Sequence, residues 1–178
     1  ERKSAQTVLY RILVDVSKLL APVLSFTAEE VWLMIQKQEF SSVHLADWPI
    51  VDEKLLNNEL NEKWNKIIGI RENVLKSLED ARNSKLIGKS LEAKVELKIS
   101  QKGVYETLKN FINHLPAVFI VSQVNLIKID ESDADIAIEI KKADGSKCER
   151  CWNYSETVSI SKEHPTICSR CLKVLNKK

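Results

Sequence analysis

Apolar residues at Ala5, Val8, Leu9, Ile12, Leu13, Val16, Leu19 and Leu20 recur in steps of three and four, which places them along one face of an α-helix. The pattern predicts an amphipathic helix closed by Pro22, because proline disfavours helical backbone in the residue before it. Arg2, Lys3, Arg11 and Lys18 occupy its polar face. Thr27 followed by Glu30 has the spacing of a capping box and predicts a short second helix with Val31, Trp32, Met34 and Ile35 on its apolar side. Periodicity then fails from 37 to 52, a long loop whose bulky members are His44 and Trp48; Trp48 is expected to pack against the body. A third helix is predicted from about Glu53 to Ala81, with Leu56, Leu60, Trp64, Ile67, Ile68, Val74, Leu75 and Leu78 inward. Gly69 weakens its middle by about 1 kcal/mol. The three helices read as an incomplete antiparallel bundle, to which residues upstream of this chain would add at least one member.

After Ser84 the period falls from near 3.6 to near 2. Leu91, Ala93, Val95, Leu97 and Ile99 alternate with Glu92, Lys94, Glu96 and Lys98, a half-buried strand. Val104 to His114 returns to helical spacing, with Pro116 expected to end it, and β-rich runs follow at Val118 to Ile129 and Ile136 to Ile140. Between them Asp130, Glu131, Asp133 and Asp135 read as a solvated acidic loop. Asp144-Gly145 turns the chain into a last segment. The expected organisation is multidomain, α then α+β: residues 1–84 part of a helical bundle, 85–142 a small α+β domain, 143–178 a C-terminal zinc ribbon.

The zinc reading comes from the cysteines. All four lie in the last thirty-one positions, as Cys148-x2-Cys151, sixteen residues, then Cys168-x2-Cys171. A two-residue gap lets both thiolates of a knuckle reach one ion about 2.3 Å away, and the longer gap lets a short hairpin bring the knuckles together. Four thiolates close the tetrahedron and leave no position for substrate, so one structural Zn2+ is expected. Coordination also supplies folding free energy that so short a segment cannot obtain from burial. Disulfides and redox chemistry are the competing readings; neither suits a duplicated CxxC without an export signal. His164 precedes Cys168 by four residues and reads as an exposed loop histidine rather than a fifth candidate ligand.

Charge adds direction. The whole chain is only +2, but residues 141–178 carry nine Lys or Arg against four acids, a tail of +5 behind a body of −3. Such a tail suits phosphate, although a solvated lysine-rich terminus gives the same count. Arg150, Trp152 and Tyr154 flank the first knuckle, Arg170 and Lys173 the second. Guanidinium beside an aromatic is what unpaired nucleotides favour; the alternative is that Trp152 shields the sulfurs and packs the hairpin, and both readings stand. Catalytic candidates are scarce: three scattered histidines, no paired carboxylates, no GxxxxGK[ST] or GxGxxG, and a Lys85-to-Ser90 stretch without the strand and helix that a phosphate loop needs. No run of about twenty apolar residues exists to span a membrane. A first residue Glu1 within a helical pattern suggests a piece of something longer, in the cytoplasm.

Several runs in this chain match a known family. Arg2-Lys3-Ser4-Ala5-Gln6-Thr7, then Ala21-Pro22-Val23-Leu24-Ser25-Phe26-Thr27-Ala28-Glu29-Glu30-Val31-Trp32, resembles the anticodon-binding helices of the bacterial-type isoleucyl-tRNA synthetases. Ser42 to Pro49 resembles the loop that follows, Ile87 to Val95 the entry to the C-terminal domain, and Lys147 to Tyr154 with His164-Pro165 and Cys168-x-Arg170-Cys171 the terminal zinc module. The stretch Ser25 to Trp32 is shared with the valyl and leucyl relatives; the four-cysteine terminus points to the isoleucyl family. The resemblance implies the C-terminal portion of a class I synthetase that joins isoleucine to tRNA(Ile) with ATP, as a monomer, the ATP-binding and editing domains lying upstream. No catalytic residue is then expected here. Contacts to tRNA are expected from Arg2, Lys3, Arg150, Trp152, Arg170 and Lys173. Two other classes fit the cysteines: the finger of a formamidopyrimidine-type DNA-repair glycosylase, and a structural ribbon docking a protein. The first needs an N-terminal proline nucleophile where this chain has Glu1-Arg2; the second does not call for a +5 tail.

Overall fold

A computed structural model of the chain describes residues 2–35, 39–129 and 135–176. It divides into two compact units, Glu1–Leu56 and Asn57–Lys178.

The first unit is a helical pair. Helix α1 spans Arg2–Leu20 and α2 spans Ser25–Met34. Between them the amides of Val23 and Leu24 both donate to the Leu20 carbonyl (3.0 and 2.7 Å), carrying the chain round Pro22. That turn feeds into α2 with Leu24 as the N-cap and no side-chain cap, so the expected Thr27–Glu30 capping box does not form; Thr27 already lies in the first turn. Glu29 works instead as an anchor for the following loop, its Oε2 accepting from Ser42 Oγ (3.0 Å) and the Val43 amide (2.9 Å). Trp32 donates its indole N–H to the Phe40 carbonyl at 3.0 Å. The core is Trp32 with Ala21, Ala28, Ile35 and Val43. Trp48, expected to pack inward, is 62% exposed, because the pinned turn at 42–43 inserts Val43 as the loop's apolar plug. The stripe of α1 stays largely open: Val8, Leu9, Ile12, Leu13 and Leu19 are exposed within this unit.

The second unit begins with α3, Asn58–Asn83, whose first turn is capped by the Asn57 side chain accepting from the Leu60 amide (2.9 Å). It starts five residues later than the periodicity suggests, since Glu53–Leu55 form a 3-10 turn capped by Asp52. At its other end Leu86 N–H bonds to Ala81 O and Lys85 N–H to Arg82 O, both at 2.9 Å, with Lys85 at φ 59°. This is a Schellman closure with lysine where glycine is commonest. Strand β1 (Ala93–Ile99) follows, then α4 (Lys102–Asn110), α5 (Leu115–Phe119), β2 (Gln123–Lys128) and β3 (Ile136–Lys142). The sheet order is β2-β1-β3, with β1 parallel to β2 through the α4–α5 crossover and antiparallel to β3. Pro116 does not terminate a helix; it sits in the first turn of α5, where its missing N–H is not needed, and so β2 starts at Gln123 rather than Val118. Ile120, at φ 60°, ends α5.

Alternation in β1 places Ala93, Val95, Leu97 and Ile99 on one face, all at 0% exposure. Onto it pack Ile67, Ile70, Val74 and Leu78 of α3, together with Leu108, Leu115 and Phe119. Arg71 ties α3 to α5 by donating from Nε to the Val118 carbonyl (2.8 Å). The other face of β1 carries an ion-pair ladder in which Glu96 meets Lys141 at 2.7 Å and Lys94 meets Asp144 at 2.7 Å. Of the expected acidic loop, Asp130, Glu131 and Asp133 lie outside the described residues. Among the described residues no helix is long and apolar enough to cross a membrane.

Candidate metal centre

The last segment folds around its cysteines and is fastened to the sheet at the start of β2. The Gln123 side-chain amide donates to the Asp144 carbonyl (3.0 Å) and accepts from the Asp144 amide (2.9 Å). Ser122 Oγ donates to the Leu91 carbonyl and accepts from the Tyr154 amide at 2.7 Å. Two short strands, β4 (Ser146–Lys147) and β5 (Tyr154–Ser155), pair antiparallel and frame the first knuckle. Gly145 makes this closure possible: it sits at φ +85°, and a Cβ there would lie 2.3 Å from the Ser155 carbonyl carbon.

Within the knuckle Cys148 N–H donates to the Asn153 carbonyl (2.9 Å) and Trp152 N–H to the Cys148 carbonyl (2.8 Å). That hairpin forces Trp152 to φ 64°, a left-handed conformation unusual for a bulky side chain. The second knuckle opens α6, Ser169–Leu175, with Cys168 at the N-cap. Its Ser169 amide is held by Thr157 Oγ1 (3.1 Å), and the Glu149 amide reaches the Thr166 carbonyl (3.1 Å), so the knuckles are bound to each other independently of sulfur.

The four sulfurs converge. Cys148 and Cys171 lie 3.8 Å apart, as do Cys151 and Cys168, and all four Sγ atoms fall within 4.8 Å of one another. A tetrahedron with metal–sulfur bonds of about 2.3 Å has edges of roughly 3.8 Å. The donor set therefore fits a closed four-thiolate zinc site and is too widely spaced for disulfides, whose sulfurs sit about 2 Å apart. His164 is not one of the cluster's members. The cluster is also primed for charge: burial opposes ionising Cys148, yet the amides of Cys151, Cys168 and Arg150 point at its sulfur and bring its thiol down to about 6. Burial and the neighbouring sulfurs push Cys171 up to about 12. In a tight group of thiols the first anion disfavours the next, and a divalent cation removes that conflict.

The residues expected to contact RNA are divided between the two units, and all are exposed. Arg2 and Lys3 are exposed on the first turn of α1. Trp152 stands at the surface, 62% exposed, with Lys147 Nζ 5.7 Å from its ring centroid. Lys173 is exposed on the last turn of α6. Arg150, also exposed, reaches across to the second knuckle, donating from Nη1 to the Cys171 carbonyl at 3.0 Å. Arg170 is exposed and shares with Cys151 the lining of one groove. Sequence reasoning misses Lys147; its place one residue before Cys148 and five before Trp152 is the available signal. It also misses the groove of about 410 Å³ between α5 and the cysteine module, which Asn113, Ile120, Asn153 and Arg170 help to line.

Comparison with known proteins matches both ends of the chain. Residues 1–97 match the family described as the anticodon-binding domain of tRNA ligase, and residues 145–174 match the zinc finger found in FPG and IleRS. The isoleucine--tRNA ligase of Thermoanaerobacter sp. (strain X514) is 49% identical over 183 residues, covering 96% of this chain and 19% of that protein. That of Caldicellulosiruptor saccharolyticus is 48% identical over 186 residues, 100% of this chain and 19% of the relative. That of Kosmotoga olearia is 42% identical over 182 residues, 99% and 20%. The chain thus spans about a fifth of the length of these relatives. With its leading helices matched from residue 1 to 97 and its cysteine module matched as well, the chain belongs to the family of the anticodon-binding domain of tRNA ligases, in the form that isoleucine--tRNA ligases carry.

Proposed function

We propose that this chain is the tRNA-holding region of an isoleucine--tRNA ligase, a monomeric cytoplasmic class I enzyme in which it positions tRNA(Ile) by the anticodon stem-loop. The observation that carries the reading is the presence, on one chain, of an anticodon-binding match and a zinc-finger match, both within a stretch similar throughout to isoleucine--tRNA ligases. ATP-dependent joining of isoleucine to tRNA belongs to other parts of such an enzyme. The proposed division is 1–84 for the helical anticodon-binding part, 85–142 for the α+β domain and 143–178 for the zinc module.

The roles follow from chemistry. Arg2 and Lys3 meet phosphate, which positions the RNA without reading sequence. Trp152 offers an exposed ring to an unstacked base, with Lys147 adding positive charge beside it. Arg150, Arg170 and Lys173 contribute to a basic surface on the module. One structural Zn2+, held by Cys148, Cys151, Cys168 and Cys171, keeps that surface rigid. The open apolar face of α1 is covered by the rest of the synthetase chain.

Trp152→Ala in a full-length isoleucine--tRNA ligase carrying this stretch tests the reading. Aminoacylation should show a KM for tRNA raised roughly fivefold to a hundredfold, the range of about 1–3 kcal/mol for one lost base stack. Isoleucine-dependent ATP–pyrophosphate exchange should be unchanged. Equal loss of both activities would overturn the division of labour. Equal, salt-sensitive affinity of the wild-type protein for tRNA(Ile) and for duplex DNA would favour the DNA-repair finger instead.

A further inference from the structure

Four thiolates can hold the cysteine module together, but all of them lie inside it and none sets how it stands on the sheet. Two adjacent side chains at the start of β2 do that, and both reach the segment that presents Trp152. Ser122 belongs to the sheet through its own amide, which donates to the Ala93 carbonyl at 3.2 Å. Its hydroxyl spans the junction, donating to the Leu91 carbonyl and accepting from the Tyr154 amide at 2.7 Å. Gln123 sits opposite Lys94 in the β1 register. Its side-chain amide makes the two-point contact to Asp144 that a neighbouring strand would make, donating to the carbonyl at 3.0 Å and accepting from the amide at 2.9 Å. Lys94 closes the same corner on the Asp144 carboxylate at 2.7 Å. Asp144 and Tyr154 bound the stretch that carries Lys147, the first knuckle and Trp152. None of these bonds uses a cysteine.

We propose that Ser122 and Gln123 form a clamp that orients the zinc module on the sheet and thereby positions Trp152 for RNA, a role that rests on the tRNA-holding function given above. They are positioning residues that act through Tyr154 and Asp144. Hydroxyl and carboxamide suit the task because each donates and accepts at once. One side chain therefore satisfies both a carbonyl and an amide that would otherwise stay unpaired at the junction. With its ring 62% exposed, Trp152 takes its direction from the hairpin that carries it, and the hairpin takes its own from the clamp. Stacking on a base is directional, so a module free to rock would have to be immobilised on binding, at a cost in affinity.

The test uses a zinc-loaded, full-length isoleucine--tRNA ligase carrying this stretch with Ser122→Ala and Gln123→Leu combined. The KM for tRNA should rise by roughly fivefold for each side chain lost, the scale of about 1 kcal/mol per hydrogen bond. Isoleucine-dependent ATP–pyrophosphate exchange and zinc content should be unchanged. Amide hydrogen exchange should quicken in peptides covering 141–156, while the β1 peptide stays protected. In a Trp152→Ala background the same pair should add less than about twofold to the KM, because its effect passes through the ring. Should the combined variant hold no zinc, Gln123→Glu, which keeps the acceptor and loses the donor, supplies the same readings on a smaller scale. A wild-type KM in the clamp variants would overturn the proposal, as would an equal rise in KM with and without the Trp152 ring. Trp152→Ala with a wild-type KM would instead sink the role given to the ring, whereas unaltered hydrogen exchange at 141–156 would sink the clamp alone.

Discussion

Trp152 is held at φ 64° by the hairpin that brings Cys148 and Cys151 together, and its ring nevertheless stands 62% exposed. A left-handed conformation costs a bulky residue roughly 1–2 kcal/mol, and glycine bears none of that cost. A protein selected at this position for stability alone would be expected to use glycine. Two substitutions separate the ring from the strain: Trp152→Ala and Trp152→Gly remove the same aromatic surface, but only glycine relaxes the backbone. The metal-loaded Gly variant should be more stable than the Ala variant by about 1 kcal/mol, while both bind tRNA equally weakly; calorimetric melting and a filter-binding titration check the two halves. Equal melting temperatures would mean that φ 64° carries no strain. The sequence displayed Trp152 beside a ligand cysteine but not its exposure, because backbone φ at that position is set by hydrogen bonds to Cys148 and not by the residue itself.

At the scale of elements, the connection from α3 to β1 shows how a local device fixes a register. Lys85 completes the Schellman closure, and Glu92 then folds back so that its Oε2 accepts the Gly88 amide at 2.8 Å. That amide holds the Glu92 carboxyl below its ordinary 4.5, with burial opposing and Lys89 and Lys142 assisting. A carboxyl whose folded value is depressed contributes stability above its unfolded value, and the contribution is lost as pH falls through the lower folded value. Glu92→Gln should therefore flatten the acid limb of a stability-versus-pH curve below about pH 4.5 while leaving the neutral region nearly unchanged in slope. Denaturant titrations across the acid limb and up to neutrality measure this; an unaltered acid limb would remove Glu92 from the account. Much of this element level is legible in the sequence. The period of 2 in β1 locates the strand within about two residues, and the α3 stripe of Ile67, Val74 and Leu78 reads as an inner face. Pro116 misleads because proline both stops helices and starts them, and only the turn at 111–114 decides which. The capping box fails for a similar reason: Thr27 and Glu30 have the spacing, but the Leu20 carbonyl has already turned the chain into α2.

For the whole molecule, the Ile67–Val121 core is large enough to persist without metal, whereas the cysteine module has little apolar packing beyond Val158 and Ile167 around its sulfurs. Removing zinc with a chelator should loosen residues 145–176 and leave the helices and the three-stranded sheet folded. Limited trypsin digestion should then cut after Lys162 and Arg170 while far-ultraviolet dichroism falls only slightly; collapse of the whole helical signal in one transition would show instead that the sheet depends on the metal. Acidification should have the same effect as chelation, because thiolates must be deprotonated to hold the ion. By itself the sequence determined what depends on spacing along the chain: the helical and strand periods, and the thiolate quartet, since two-residue gaps put sulfurs within reach of one ion whatever surrounds them. Tertiary structure decided what depends on partners distant in sequence. It set α3 against the sheet, buried Trp32 and left Trp48 outside, and brought Arg150 to the Cys171 carbonyl of the opposite knuckle. An arginine looks the same in a sequence whether its guanidinium faces only solvent or also reaches a carbonyl; Arg150 meets that of Cys171 only when the opposite knuckle arrives.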